Sequence, residues 1–253
     1  MSKQLGIGKS SGSRGLTSAE KVGRVRGSTS KPSNSGSTNL GADRPTESSK
    51  FNYDIESPTR TVTDQIRNMF GRDVKLSDIA AASGALDGSK IRFDAGNNFL
   101  EVSVSHPDVR VQDRTFYKTS TGITIENEVF IKKPGAPKGL ATRAVERQVE
   151  FATKLGANTI SLNAVGYYGS SKWNGYYTWP KNGFDAKLDD ITDMLPRNLK
   201  GAKTLQDLFK TKEGEEWWKI NGSSMFVQFD LSPNSASRKR LKKTIEEYRV
   251  KTK

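Results

Sequence analysis

Six aromatic side chains fall within the thirteen residues Tyr167–Trp179, interrupted by Gly169, Ser170, Ser171, Asn174 and Gly175. No simple helix takes that spacing. Rings at this density either pack on a sheet or wall a substrate cleft or a protein-contact surface. Upstream, Arg114, Thr119-Ser120-Thr121 and Glu126-x-Glu128 are the residue types of ADP-ribosyl transfer. That chemistry sets them on separate, well-spaced strands, whereas here they crowd into fifteen residues. The chain has no cysteine and one histidine. Disulfide frameworks, thiolate zinc sites, iron–sulfur clusters, cysteine nucleophiles and multi-histidine metal sites are excluded, and no metal site is expected. His106, just before Pro107, reads as a turn residue.

The elements that must position such groups follow from periodicity. Val62, Ile66, Met69 and Phe70 recur at helical spacing ahead of Gly71, a suitable residue for the end of a helix. A second helical stretch runs from about Leu76 to Ala85 and closes on Leu86-Asp87-Gly88. The period then becomes two. Ile91 and Phe93, then Phe99, Val102 and Val104, flank a turn at Asp94–Asn98. Further strands cover Val109–Tyr117 and Ile123–Ile131, with an irregularity expected around Glu126-Asn127-Glu128. After a Gly/Pro loop, Leu140, Ala144, Val145, Val149, Ala152 and Leu155 share one helical face up to Gly156. Thr159–Val165 reads as a short buried strand. Phe209 and Trp217-Trp218 suggest a small late subdomain closed by a strand at Met225–Phe229.

Charge divides the chain differently. Of a net +13, residues 1–50 hold +6 (nine Lys/Arg, three acids) and residues 238–253 another +6 (eight Lys/Arg, two acids). The first fifty residues carry twelve Ser and eight Gly. Such a segment buries too little surface to offset a backbone ordering cost of roughly 1–2 kcal/mol per residue. The expected organisation is a disordered basic arm over 1–55, an α/β domain over 56–236 and a basic C-terminal helix or tail over 237–253. Basic ends suit nucleic acid or an acidic partner surface. No apolar run approaches the roughly 18–20 residues that span a bilayer. The N-terminus has no apolar core of a secretory signal. No membrane partner is expected, and the location expected is the cytoplasm, a virion, or a host cell into which the protein is delivered.

The order of elements over about residues 90–190 resembles the GCN5-related N-acetyltransferase (GNAT) superfamily. Antiparallel strands lead into Pro137-Lys138-Gly139-Leu140-Ala141, a long helix, a strand, and Asn174-Gly175-Tyr176-Tyr177-Thr178-Trp179-Pro180-Lys181-Asn182-Gly183-Phe184-Asp185. The resemblance implies an α+β fold with a mixed sheet, antiparallel strands followed by strand–loop–helix–strand. It also implies acetyl-CoA as cofactor, bound by its diphosphate at Lys138, Gly139, Leu140, Ala141 and Thr142. The positive end of a helix and its unpaired amides favour an anion there. The family's first motif position, Gln or Arg, is Ala136 here. Its general acid, a tyrosine, aligns with Trp179, which has no acidic proton to give, so Tyr177 or Tyr176 would have to replace it. Glu126 and Glu128 stand where the family often places a base.

Two readings follow. One is an acyl-CoA-dependent N-acyltransferase acting on an amine of a protein. The other is a non-catalytic module of the same fold, in a phage particle or a delivered effector, whose basic ends bind nucleic acid or a protein partner.

Overall fold

A computed structural model describes residues 51–251 with the exception of Ser171. Of the basic arm expected over 1–55, all but the last five residues lie outside this description. Those five join the domain, because Asp54–Ile55 forms the short strand β1. The order then runs α1 (Arg60–Phe70), α2 (Leu76–Ala82), β2 (Lys90–Ala95), β3 (Phe99–Ser105), β4 (Val109–Thr119), β5 (Gly122–Lys132) and α3 (Leu140–Lys154). It continues with β6 (Ala157–Tyr167), α4 (Gly175–Lys181), a 3-10 turn at Asp189–Met194, α5 (Leu205–Leu208), α6 (Lys212–Asn221), β7 (Ser223–Asp230) and α7 (Ala236–Lys251).

The seven strands make one mixed sheet in sequential order. β2 to β5 form an antiparallel meander, α3 crosses from β5 to a parallel β6, and β7 returns antiparallel to β6. The fold is α+β, as the change of period from two to 3.6 near residue 140 predicts. Inward side chains such as Val102, Phe116, Ile125, Ile160 and Phe229 are buried in one core cluster with Ile79, Val145 and Ala152 from the helices. Their neighbours along the strands, including Arg92, Glu101, Asp113, Glu126 and Gln228, are polar and at least partly open. The helices therefore cover one face of the sheet and leave the other to solvent.

Local signals explain the ends of the helices. Thr59 caps α1 by accepting from the amide of Val62, and Gly71 closes it in the left-handed conformation. No separate late subdomain forms: Phe209 and Trp218 are buried in the main core. The C-terminal helix is likewise part of the domain. Leu241 is buried, and Arg240, also buried, donates to the carbonyl oxygens of Lys181 and Phe209. Arg238 donates to the carbonyl of Leu231, and Arg249 pairs with Glu146 at 3.0 Å. Arg238, Arg240 and Arg249, three of the eight Lys/Arg counted in this segment, thus help to dock α7. None of the helices described is long and apolar enough to cross a membrane.

Candidate functional site: a gap between two parallel strands

Parallel pairing of β5 with β6 stops at Glu126 and Ser161, although β5 runs on to Lys132 and β6 to Tyr167. Among the described residues, beyond that point β5 is bonded only to β4, and β6 only to β7, apart from one bridge between Gly166 and Asn174. The cause lies in β5. Asp113 faces Val129 while Arg114 faces Asn127, so Glu128 is an extra residue, a β-bulge that bends the strand. This is the irregularity expected at 126–128.

Buried polar groups fix the bend. Asn127 and Gln148 exchange two amide hydrogen bonds, at 3.0 and 2.8 Å, tying β5 to α3. Arg114 is 2% exposed and donates to the carbonyls of Asp113 (2.8 Å) and Val129 (2.7 Å). Burial brings its pKa down to about 9, which leaves it protonated at neutral pH. It pairs with no carboxylate among the described residues, and its guanidinium sits 5.7 Å from the ring centre of Phe130.

The separated strands enclose a cavity of about 340 Å³. Glu128 and Phe130 line one wall, Leu162 and Val165 the other, Ala141 of α3 the end, and Trp173, Thr178 and Trp179 the roof. Trp179 meets Phe130 edge to face at 6.2 Å and Phe184 at 5.2 Å. Strand edges facing a gap carry backbone donors and acceptors, and with these apolar walls they suit an extended, amide-bearing ligand of small cross-section.

The residues singled out from the sequence divide between this gap and other tasks. Glu128 lines the gap and is exposed. Glu126 is half-buried on the open face of the sheet, and its pKa is raised by burial and then by Glu128. The same two carboxylates, after burial, raise the pKa of Tyr117, on the strand alongside. Tyr177 points elsewhere. Its hydroxyl donates to Glu215 at 2.7 Å, and burial and that bond raise its pKa. Glu215 also accepts from Lys181 and Arg240, each at 2.9 Å. Burial alone would raise its pKa, but the bonds from Tyr177, Lys181 and Arg240 bring it to about 2. Tyr176 is buried and donates to the carbonyl of Lys219. Neither tyrosine lines the gap, whereas Trp179 does.

At the turn before α3, Lys138 is exposed, Leu140 is buried in the core, and Ala141 and Thr142 are half-buried. Gly139 has φ +74°. A Cβ on it would lie 2.2 Å from the ring of Tyr248, whose hydroxyl donates to the carbonyl of Lys138 at 2.5 Å. That side of the glycine is therefore filled by α7. The side facing the gap is that of Ala141, where the amide of the first helical turn has no backbone partner among the described residues.

Other candidates do not converge. Arg114 is on the helix-covered face and Glu126 on the open one, while Thr119 and Thr121 close a hairpin by their mutual bond and one to Gly122. His106 receives the amide hydrogen of Asp108 and lies 3.2 Å from the carbonyl of Asp87, which makes it a turn residue. Among the described residues no three His, Cys, Asp or Glu side chains could hold a metal ion. Glu215, Gln148 and Tyr248 carried no chemical signal in the sequence, because each acts through a partner far along the chain.

Comparison with protein-family models, with curated proteins and with solved structures returned no match.

Proposed function

We propose that the chain is a GNAT-like acyl-CoA-dependent N-acyltransferase acting on an amine of a protein acceptor. One observation carries the reading: β5 and β6 part at Glu126 and Ser161 into a gap that ends on the N-terminus of α3. The acyl-pantetheine arm fits that gap in cross-section and in its need for backbone partners. The diphosphate would meet the amides of Ala141 and Thr142, with Lys138 adding charge, and would approach from the gap side because Tyr248 occupies the other side of Gly139. When bound, acetyl-CoA supplies the activated acyl group.

The chain's own residues then have distinct tasks. Glu128, at the wall of the gap, would accept the proton of the attacking amine, and Glu126, whose pKa burial and then Glu128 raise, stands two residues before it on the strand. Backbone amides at the bulge polarise the acyl carbonyl. Trp179 and Phe130 keep water from the covered side. With Trp179 in the acid position and Tyr177 held by Glu215, neither side chain would donate a proton to a departing thiolate.

A second reading is favoured by the same tyrosine and by Tyr248. A module of this fold that has lost catalysis, carried in a virion or delivered into a host cell, would use its basic ends on nucleic acid or a protein partner. Calorimetric titration with acetyl-CoA separates the two, with Ala141→Glu as control. Binding lost in that variant supports the first, and no heat from the native chain at millimolar ligand leaves only the second. Gly139→Glu is a poorer control, because its side chain would displace Tyr248.

A further inference from the structure

A second cavity, of about 470 Å³, lies between α5 and the first turns of α7 and shares no lining residue with the gap. Phe209 and Lys210 form part of one side, and Ala236, Lys239, Arg240 and Lys243 the other. Those four residues of α7 stand at i, i+3, i+4 and i+7, so they share one face of the helix. Four cations line the cavity and only one carboxylate, Asp207.

Each charge can be followed to its partners. Asp207 is fully engaged: it accepts from the amides of Lys203 and Thr204, each at 3.0 Å, and from the ammonium of Lys210 at 2.7 Å. Arg240 is 7% exposed, and three of its N–H groups go to the carbonyls of Lys181 and Phe209 and to Glu215. The remaining N–H groups of that buried guanidinium have no partner among the described residues. Lys243 lies 4.0 Å from Glu247, and both are open to water, where such a pair has little strength. The ammonium of Lys239 has no partner among the described residues. Nor do the backbone amides of Ala236 and Ser237, which begin α7.

Unmatched cations around a concave space repel one another until an anion enters it. The donors favour phosphate over a carboxylate. Lysine ammoniums bind phosphate as point charges, and the first amides of a long helix add donors for the same anion. A diphosphate can meet both sets at once, which a single carboxylate is too small to do. Phe209, 2% exposed, and the aliphatic stems of the lysines supply apolar wall for an attached organic group. We infer that this cavity binds a small molecule bearing a diphosphate, held by Lys239, Lys243 and the first amides of α7, with its organic part against Phe209. The site is separate from the gap, and Ala141 has no part in it.

Calorimetric titration of the full chain with ADP, and with inorganic pyrophosphate, tests it. Saturable binding is expected for both, weakened about tenfold in Lys239→Ala and in Lys243→Ala, the loss of one hydrogen bond to a charged group. Lys242→Ala removes the same charge from the same helix at a position outside the cavity and is expected to change affinity less than about twofold. All three lysines are exposed, so circular dichroism and melting temperature should not move. The Lys239-dependent binding is expected to persist in Ala141→Glu, whatever that variant does to acetyl-CoA. No saturable heat at millimolar ADP, equal losses in Lys242→Ala and Lys239→Ala, or disappearance of the Lys239-dependent binding in Ala141→Glu would each overturn the assignment. Displacement of ADP by an oligothymidylate at equal phosphate concentration would overturn it too, and would give this face of α7 to a nucleic-acid backbone.

Discussion

From Ile123 to Glu126, β5 is bonded on both sides, and its inward residues Ile123 and Ile125 are buried with Ile160 of β6. From Asn127 onward the same strand has lost β6 as a neighbour, and Val129, Phe130 and Ile131 are only half-buried around a cavity. One extra residue at Glu128 separates the two regimes. The first half supplies rigidity and the second supplies room, and the polar pins Arg114 and Asn127 stand at the boundary. A site built this way needs no flexible loop: its walls are strands whose positions are set by the closed half.

That contrast can be broken at either end. The largest effect on stability is expected in the closed half, where Ile160→Ala removes a fully buried side chain and costs about 2–5 kcal/mol in denaturant unfolding. At the boundary, Asn127→Ala strands the buried amide of Gln148 and costs about 1–3 kcal/mol. The double variant Asn127→Ala/Gln148→Leu is expected to regain part of that loss, since no polar group is then left alone.

Acid sharpens the comparison between the gap and the Glu215 knot. The folded pKa of Glu215, about 2, lies below its ordinary value of 4.5. Its contribution is thus fully present above about pH 4.5 and is lost as pH falls toward 2. Stability measured from pH 5 down to 2.5 is expected to fall in the native chain and to fall less in Glu215→Gln. The smallest effect belongs to the open half. Glu128→Gln is expected to leave stability within about 0.5 kcal/mol while lowering the initial rate of thiol release from acetyl-CoA with an amine acceptor.

Much of the closed half was legible in the sequence because it depends on local periodicity. Alternation over 91–131 marks the antiparallel strands, and the face Leu140–Ala152 marks α3. Even the bulge shows as a break in alternation at Glu126-Asn127-Glu128. What was not legible depends on contacts between distant residues. Gly139 looks like a cradle for phosphate until Tyr248, 109 positions later, is found against it. Tyr177 looks available until Glu215 takes its hydroxyl. Arg238 and Arg240 belong to a basic end that suits nucleic acid or an acidic partner surface, yet both turn inward to backbone carbonyls. Polar side chains satisfy whatever the fold brings near them, and composition does not show which partner that is.

Amide chemical-shift mapping of the full chain with acetyl-CoA locates the ligand residue by residue. The largest shifts are expected at Glu128–Phe130, Ala141 and Leu162–Val165, the residues that border the parted strands. Shifts confined to the exposed cations of α7, such as Lys239 and Lys242, or no shifts at saturating ligand, would contradict binding in the gap.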